Sequence, residues 1–221
     1  DLRMKIIPLK ITLLSPLFNY SQVTNGGAIT SEFIGDIALT YALNRVLKEH
    51  HFYKEIRFKP EYKEDLNCLD YLFTVAKPLE AKRTGVYIRN TLFNCDGGPQ
   101  MENILLSSKS TFKNYFKVQG IQIGSEYSTH LICKDDFKPK FPLTLRLGTG
   151  RECLVTLEKR KVKKDDEFWL NAYVLKEVFG EQVLKRFINL KHYFMDYKLE
   201  NYIILKKLNE QQVSTIFEGK F

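Results

Sequence analysis

The order of segments along the chain predicts an α+β fold with helices packed on an antiparallel sheet, the ferredoxin-like pattern among its forms. Three observations carry that expectation. An alternating apolar stretch opens the chain, an amphipathic helical segment follows, and a series of short alternating stretches leads to helical segments and a last strand. With 221 residues the chain can bury a sizeable core. It carries no internal repeat, low-complexity tract or long linker, so one domain over 1–221 is expected.

The first element is a strand. From Met4 to Leu14 the sequence sets Ile7, Leu9, Ile11 and Leu13 on one face at a period of two, and Pro8 argues for an edge or a bulge near its start. The next stretch, SPLFNYSQVTNGGAITS, is rich in Ser, Thr, Asn and Gly and reads as a loop. Thr30 or Ser31 can cap the helix that follows, whose stripe comprises Ile34, Ile37, Ala38, Tyr41, Leu43 and Leu47, with Gly35 inside it. A charged connection over 50–67 leads to a strand ending near Pro78 and another over 86–93. Residues 115–134 alternate as two strands around Gly124, and KPKFP then breaks the chain. Beyond 165, LNAYVLKEVF and GEQVLKRFINL have helical character, and ENYIILKKL is strand-like.

Charge narrows the function. Thirty-four Lys and Arg against 26 Asp and Glu leave a net charge of +8, which favours a polyanionic partner such as nucleic acid over a small neutral substrate. Cys68, Cys95, Cys133 and Cys153 form no C-x-x-C pair and read as buried free thiols. His50, His51, His130 and His192 add no ligand spacing, so neither a metal site nor any cofactor is expected. No apolar run approaches the roughly 20 residues that span a bilayer, and no signal-peptide pattern opens the chain; no membrane partner and a cytoplasmic setting are expected.

The stretch with most chemistry in it is RLGTGRE. Leu143, Leu145 and Leu147 alternate with Thr144 and Arg146 up to a Gly148-Thr149-Gly150 turn, Arg151 follows, and Cys153, Val155 and Leu157 resume the apolar face. Gly148 and Gly150 can take positive φ and admit another backbone at close range, while an arginine fork suits phosphate oxygens or a base face. That combination fits a clamp on a phosphate backbone. It also fits a bulged hairpin turn with solvated arginines. Lys159 begins a basic run, KRKVKK, that extends the same strand, and Lys82, Arg83 and Arg89 are further candidates for a shared basic face. Phe18, Tyr20 and Tyr87 are aromatic neighbours able to stack on bases. Catalytic signals are thin: His130 stands alone in a strand, and Asp135-Asp136 and Asp165-Asp166 lack companion ligands.

Residues 9–47, the YLFTVAKPL segment and LRLGTGRECLVTLEKR together resemble the RAMP superfamily of CRISPR-associated proteins. The closest resemblance is to the Cas "five" family of type I Cascade, in a form most like type I-D or a variant type I-F. The resemblance implies a modified ferredoxin-like, RRM-related domain with an inserted β-hairpin thumb over 85–133 and C-terminal helices. It implies a non-catalytic subunit that binds the 5′ handle of the guide RNA and caps the backbone filament. Its partners would be the guide RNA, the backbone subunit and the large subunit, with target DNA met only indirectly. The Arg146–Arg151 bend would lie near the RNA backbone, and Tyr20, Thr24 and Asn25 would be handle contacts. No second RAMP signature is found in the C-terminal third, so helices docked on the sheet are expected over 165–221. The alternative is a metal-independent endonuclease that processes precursor guide RNA, for which His130, His50 and Tyr20 are the candidate acid–base groups.

Overall fold

The computed structural model describes residues 4–19, 22–24, 27–48, 60–90, 115–161, 163, 165–187, 192–194 and 203–221. Its centre is an antiparallel sheet built on β1 (Met4–Leu13). β8 (Glu126–Lys134) and β10 (Cys153–Lys159) flank β1, with β4 (Tyr71–Phe73) beyond β8 and β9 (Leu143–Leu147) beyond β10. A short strand, β5 (Lys77–Glu80), also pairs with β8. β1 is therefore central and its register with β8 runs unbroken through Pro8, against the edge or bulge that the proline argues for. The proline is tolerated because the β10 ladder begins only at Leu9, and the Pro8 carbonyl accepts instead from the Arg160 amide just past the end of β10.

The alternation read from sequence sorts the two faces. Leu9, Ile11, Leu13, Leu145, Val155 and Leu157 are buried on one side, while Thr144 and Arg146 are exposed on the other. Helix α1 (Asp36–Leu47) covers the apolar face, packing against both β4 and β9. It starts later than expected. Ile34 forms a bridge with Ala76, and Gly35, expected inside the helix, is its N-cap in extended conformation, so neither Thr30 nor Ser31 caps it. The buried face of α1 also differs from the expected stripe. Ala38 is exposed, and Asp36, Thr40 and Asn44, at helical spacing, are buried beside Ile37, Leu39 and Leu43. The Thr40 hydroxyl donates to the Asp36 carbonyl and accepts from the Phe73 amide, tying the helix to β4.

The expected loop after β1 contains a hairpin, β2 (Gln22–Thr24) with β3 (Gly27–Ile29). β3 runs parallel to β7 (Tyr115–Ile121), which pairs with β6 (Arg83–Asn90), making a second sheet in the order β2–β3–β7–β6. The expected thumb boundary at 133 overlaps β8, which belongs to the central sheet. The segment CDGGPQ at 95–100, whose composition predicts a turn, lies outside the described residues.

The C-terminal part is more β than expected. β11 (Phe168–Asn171), β13 (Ile203–Leu208) and β12 (His192–Phe194) form a third sheet in that order. Asn171 caps a short helical turn, α3 (Ala172–Val174), which widens into a π-type turn over Leu175–Phe179 before α4 (Glu181–Phe187). The chain ends in α5 (Glu210–Phe217), which carries a capping box between Asn209 and Gln212. One further helix, α2 (Tyr62–Cys68), precedes β4.

Candidate nucleic-acid interface

Strand register gathers most of the sequence-predicted residues at one end of the central sheet. β1 ends at Leu13, opposite Val155, and Cys153 pairs with Leu147, so the β9–β10 bend, the β1–β2 loop and the start of β8 share that end. Lys82 joins them, its amide donating to the Ser125 hydroxyl just before β8. Lys159 does not: it pairs with Leu9, about 20 Å along the strand from Cys153, where its ammonium lies 5.8 Å from the Phe141 ring. Arg89 lies toward the far end of β6, opposite Phe116. Tyr20 and Asn25 lie outside the described residues, as do the side chains of Thr24 and Arg89.

The bend itself explains its glycines. Gly148 has φ +79°, and a Cβ there would stand 2.6 Å from the Phe18 carbonyl oxygen. The Thr149 amide donates to that same oxygen at 2.8 Å. Gly120 of β7 meets the same segment from the other side, where a Cβ would lie 2.5 Å from the Leu17 oxygen and 2.6 Å from the Phe18 ring. The backbone that needs Gly148 is thus the chain's own strap, Leu17-Phe18, held between two glycines. Ser15 continues this docking by accepting from the Leu154 amide at 2.8 Å. Phe18 in turn meets the Tyr87 ring edge-on, at 5.5 Å.

The cations around this end differ in how far they are neutralised. Lys82 pairs with Glu80 at 3.1 Å. Arg83 donates to the Thr30 carbonyl at 2.9 Å and stands 3.6 Å from Glu32. Arg146 is exposed on the face of β9 turned away from α1, and Arg151 is exposed on the bend with a left-handed backbone, φ +57°. Neither meets a carboxylate among the described residues.

At the opposite end of β10 the basic run turns inward. The Arg160 guanidinium, 12% exposed, donates to Asp166 at 2.8 Å and to His130 Nε2 at 2.9 Å. An Nε2 that accepts from Arg160 carries no proton, so the 3.4 Å approach of Asp166 to the same nitrogen is a contact between acceptors and not a second hydrogen bond. His130 stacks on Phe168 at 3.9 Å between centroids. Burial, and then the charge of Arg160, push its pKa down to about 4. Burial pushes the Asp166 carboxyl up, but the Arg160 hydrogen bond and charge outweigh it and hold the group below the usual carboxylate range. His130 is 3% exposed, which leaves no approach for a substrate. His50 lies outside the described residues.

Of the cysteines, Cys133 and Cys153 are buried as expected, and burial pushes their thiols up to about 12 and about 11. Cys68 is exposed at the end of α2, against expectation. Among the described residues no His, Cys, Asp and Glu cluster could hold a metal ion, and no described helix is long and apolar enough to cross a membrane.

The family described as Type I-D CRISPR-associated protein Cas5/Csc1 matches residues 4–209. No curated protein matches the chain. Among solved structures, a chain of a cryo-EM structure of the Type III-B Cmr-beta bound to cognate target RNA and AMPPnP is similar at 12% identity and a TM-score of 0.39. The similarity covers 97% of this chain and 89% of that one.

Proposed function

The chain belongs to the type I-D CRISPR-associated Cas5/Csc1 family, whose members are guide-RNA-binding subunits of Cascade, and we propose that it holds the 5′ handle of the guide RNA at the β9–β10 end of its central sheet. The observation that carries this is the exposed pair Arg146 and Arg151 on a bend already fixed by Gly148 against the Leu17-Phe18 strap. A phosphate contact gains most when the cation is pre-positioned and has no internal carboxylate to leave. Residues Tyr20, Thr24 and Asn25, which follow that strap in the sequence, would supply stacking and hydrogen bonds to unstacked handle bases. Lys82 and Arg83 would add a second rank of positive charge, attenuated by Glu80 and Glu32. Gly148 and Gly150 shape the bend, and Lys159 and Arg89, at the far ends of their strands, would meet a more distant part of the RNA.

The subunit would cap the backbone filament, with an insertion carried on β6 and β7 reaching the neighbouring backbone subunit. Val86, Tyr87 and Ile88 on β6 are 58%, 50% and 62% exposed, so both faces of that strand offer apolar surface. The large subunit, and target DNA through it, would be met elsewhere on the same assembly. The reaction class is binding without cleavage: the one described candidate base, His130, is enclosed by Phe168, Arg160 and Asp166.

A filter-binding titration of labelled repeat-derived RNA at fixed salt tests the reading. Arg146→Ala and Arg151→Ala should each weaken binding about 5- to 10-fold, as the loss of one phosphate contact does, with unchanged thermal midpoints. Wild-type affinity in both variants removes the proposal. Incubation of the same RNA with the protein in EDTA should leave it intact, and site-specific cleavage would establish the endonuclease instead.

A further inference from the structure

The described helices differ in how well the fold covers them. α1, α2, α3 and α5 each bury at least two residues, whereas α4 buries none. α4 packs chiefly on the π-type turn that it follows, and its apolar residues Val183, Leu184 and Phe187 are only half-buried. Val183 and Phe187 stand four positions apart and so share one face of the helix, with the exposed Arg186 beside them. Between that face and α5 lies a half-open cleft of about 430 Å³.

The cleft combines apolar walls with positive charge. Val178 and Phe179 of the turn, Val183 and Phe187 of α4 and Ile216 of α5 supply the walls, and Arg186 and Lys220 bring two cations to the same space. Phe179 meets Phe217 of α5 edge-on at 4.8 Å, which ties the turn to that helix and holds the walls in place. The Lys220 ammonium donates to the Leu66 carbonyl at 2.8 Å and to the Asn67 carbonyl at 3.2 Å, at the end of α2. It also lies 5.3 Å from the centre of the Phe221 ring. Those acceptors are neutral, so burial dominates and pushes the group down to about 8. A carboxylate seated in the cleft would offset that cost, and an ammonium has three N–H donors, of which the two carbonyls take two.

We propose that the cleft between α4 and α5 is a docking site for a partner protein, which inserts the apolar and acidic face of a helix. A helix that carries apolar residues at i, i+4 and i+7 with a Glu or Asp beside them matches Val183, Phe187 and Arg186 in spacing and in charge. The site lies away from the proposed RNA contacts. Asn67 lines the cleft, and three residues further on the Asp70 carbonyl accepts from the amide of Lys134, the last residue of β8, at 3.0 Å. The β9–β10 bend lies at the other end of that strand, level with Glu126 and about 26 Å away along β8. Protein and RNA can therefore be held at once, and the inference stands apart from the guide-RNA reading.

Selection from a phage-displayed library of helical peptides, each about 14 residues or four turns long, against the immobilised full chain tests this. It should enrich peptides with apolar residues at i, i+4 and i+7 and an adjacent Glu or Asp. Fluorescence anisotropy with the best peptide, labelled with fluorescein, then reads the cleft. Val183→Glu, which sets a carboxylate among the apolar walls, should weaken binding at least about 10-fold. Arg186→Gln should weaken it about 3- to 10-fold and reduce its salt dependence. Lys185→Gln should stay within about 2-fold, because Lys185 pairs with Glu181 and does not line the cleft. Val183→Thr, close to valine in shape, should lose about 3-fold and serves in place of the glutamate variant should that one unfold. Wild-type affinity for repeat RNA should accompany every variant.

Failure to enrich acidic amphipathic peptides, or equal binding of the enriched peptide to wild type and Val183→Glu, would overturn the proposal. Octanoate that raises the thermal midpoint of wild type but not of Arg186→Gln, with no peptide enriched, would reassign the cleft to a small apolar carboxylate. A dimer in light scattering that Val183→Glu dissociates would reassign it to a second copy of this chain. Cleft-dependent peptide binding by a wild-type chain that fails to bind repeat RNA would remove the guide-RNA reading and support this one.

Discussion

Arg151 and Arg160 bracket the same strand, yet they meet opposite fates. Arg151 precedes β10, is exposed, and finds no carboxylate among the described residues. Arg160 follows β10 and is enclosed, with Asp166 at 2.8 Å and His130 at 2.9 Å. In the sequence both belong to basic motifs, and the second motif is the denser in charge. The difference teaches that a cation counts toward a polyanion only when the fold leaves it without an internal partner. The run 159–164 supplies a structural guanidinium, Arg160, that ties Asp166 to His130 of β8, whereas the sparser bend supplies one that meets no carboxylate among the described residues.

The largest expected effect comes from breaking the paired region. Asp166→Ala leaves the Arg160 charge enclosed without its carboxylate and should lower stability by about 3 kcal/mol, read as a drop in the urea midpoint. Arg160→Ala with Asp166→Ala should cost less than the sum of the two single variants, because neither orphaned charge then remains. Additive losses would show that the two groups act separately.

Acid sharpens the same contrast. His130 has a folded pKa of about 4 against an ordinary 6.5, so the stability it contributes is full above pH 6.5 and is lost as pH falls toward 4. Asp36, fully enclosed beside Asn171, is raised by burial from 3.8 to about 6. Its contribution runs the other way: it is full below pH 3.8 and lost as pH rises through 6. Each amounts to about 3 kcal/mol at about 1.4 kcal/mol per pK unit, and over pH 4–6 they oppose each other. Wild-type stability should therefore vary little in that window. Asp36→Asn, which keeps an acceptor for Asn171, should be more stable than wild type at pH 7 and lose about 3 kcal/mol between pH 6.5 and 4. A flat urea midpoint for Asp36→Asn across that range would contradict the enclosure of His130.

The smallest effect lies at Arg83. Glu32→Gln removes its carboxylate and turns a half-neutralised arginine into one more like Arg151. RNA binding should tighten by no more than about 3-fold, with a slightly steeper salt dependence and no change in thermal midpoint. No gain in affinity or slope would mean that Arg83 faces away from the RNA.

Much of the frame was legible in the residues. Period-two alternation located β1, β9 and β10 and assigned Leu9, Ile11, Leu145 and Val155 to the core face, and Gly124 marked the turn between β7 and β8. The α+β class follows from those elements. The errors have physical causes. Pro8 misled because a proline tests only one ladder, and the β10 ladder happens to stop before it. The polar stripe Asp36, Thr40 and Asn44 was missed because its partners, Phe73 and Asn171 among them, lie far along the chain. In the C-terminal part, FWLN and HYF are too short for a period to emerge, and they become strands only by pairing with β13.

What the sequence determined by itself is local: which stretches alternate, where glycine permits a bend, that the chain is basic, and which family its motifs resemble. Tertiary structure alone decided which charges are available and what the glycines admit. Gly148 faces Phe18, Leu154 binds Ser15 across 139 positions, and Arg160 meets His130 across 30. Periodicity is set by backbone geometry within a few residues and can be read along the chain. Ion pairing and close backbone approach depend on which distant segments the packing of α1 and the central sheet brings together.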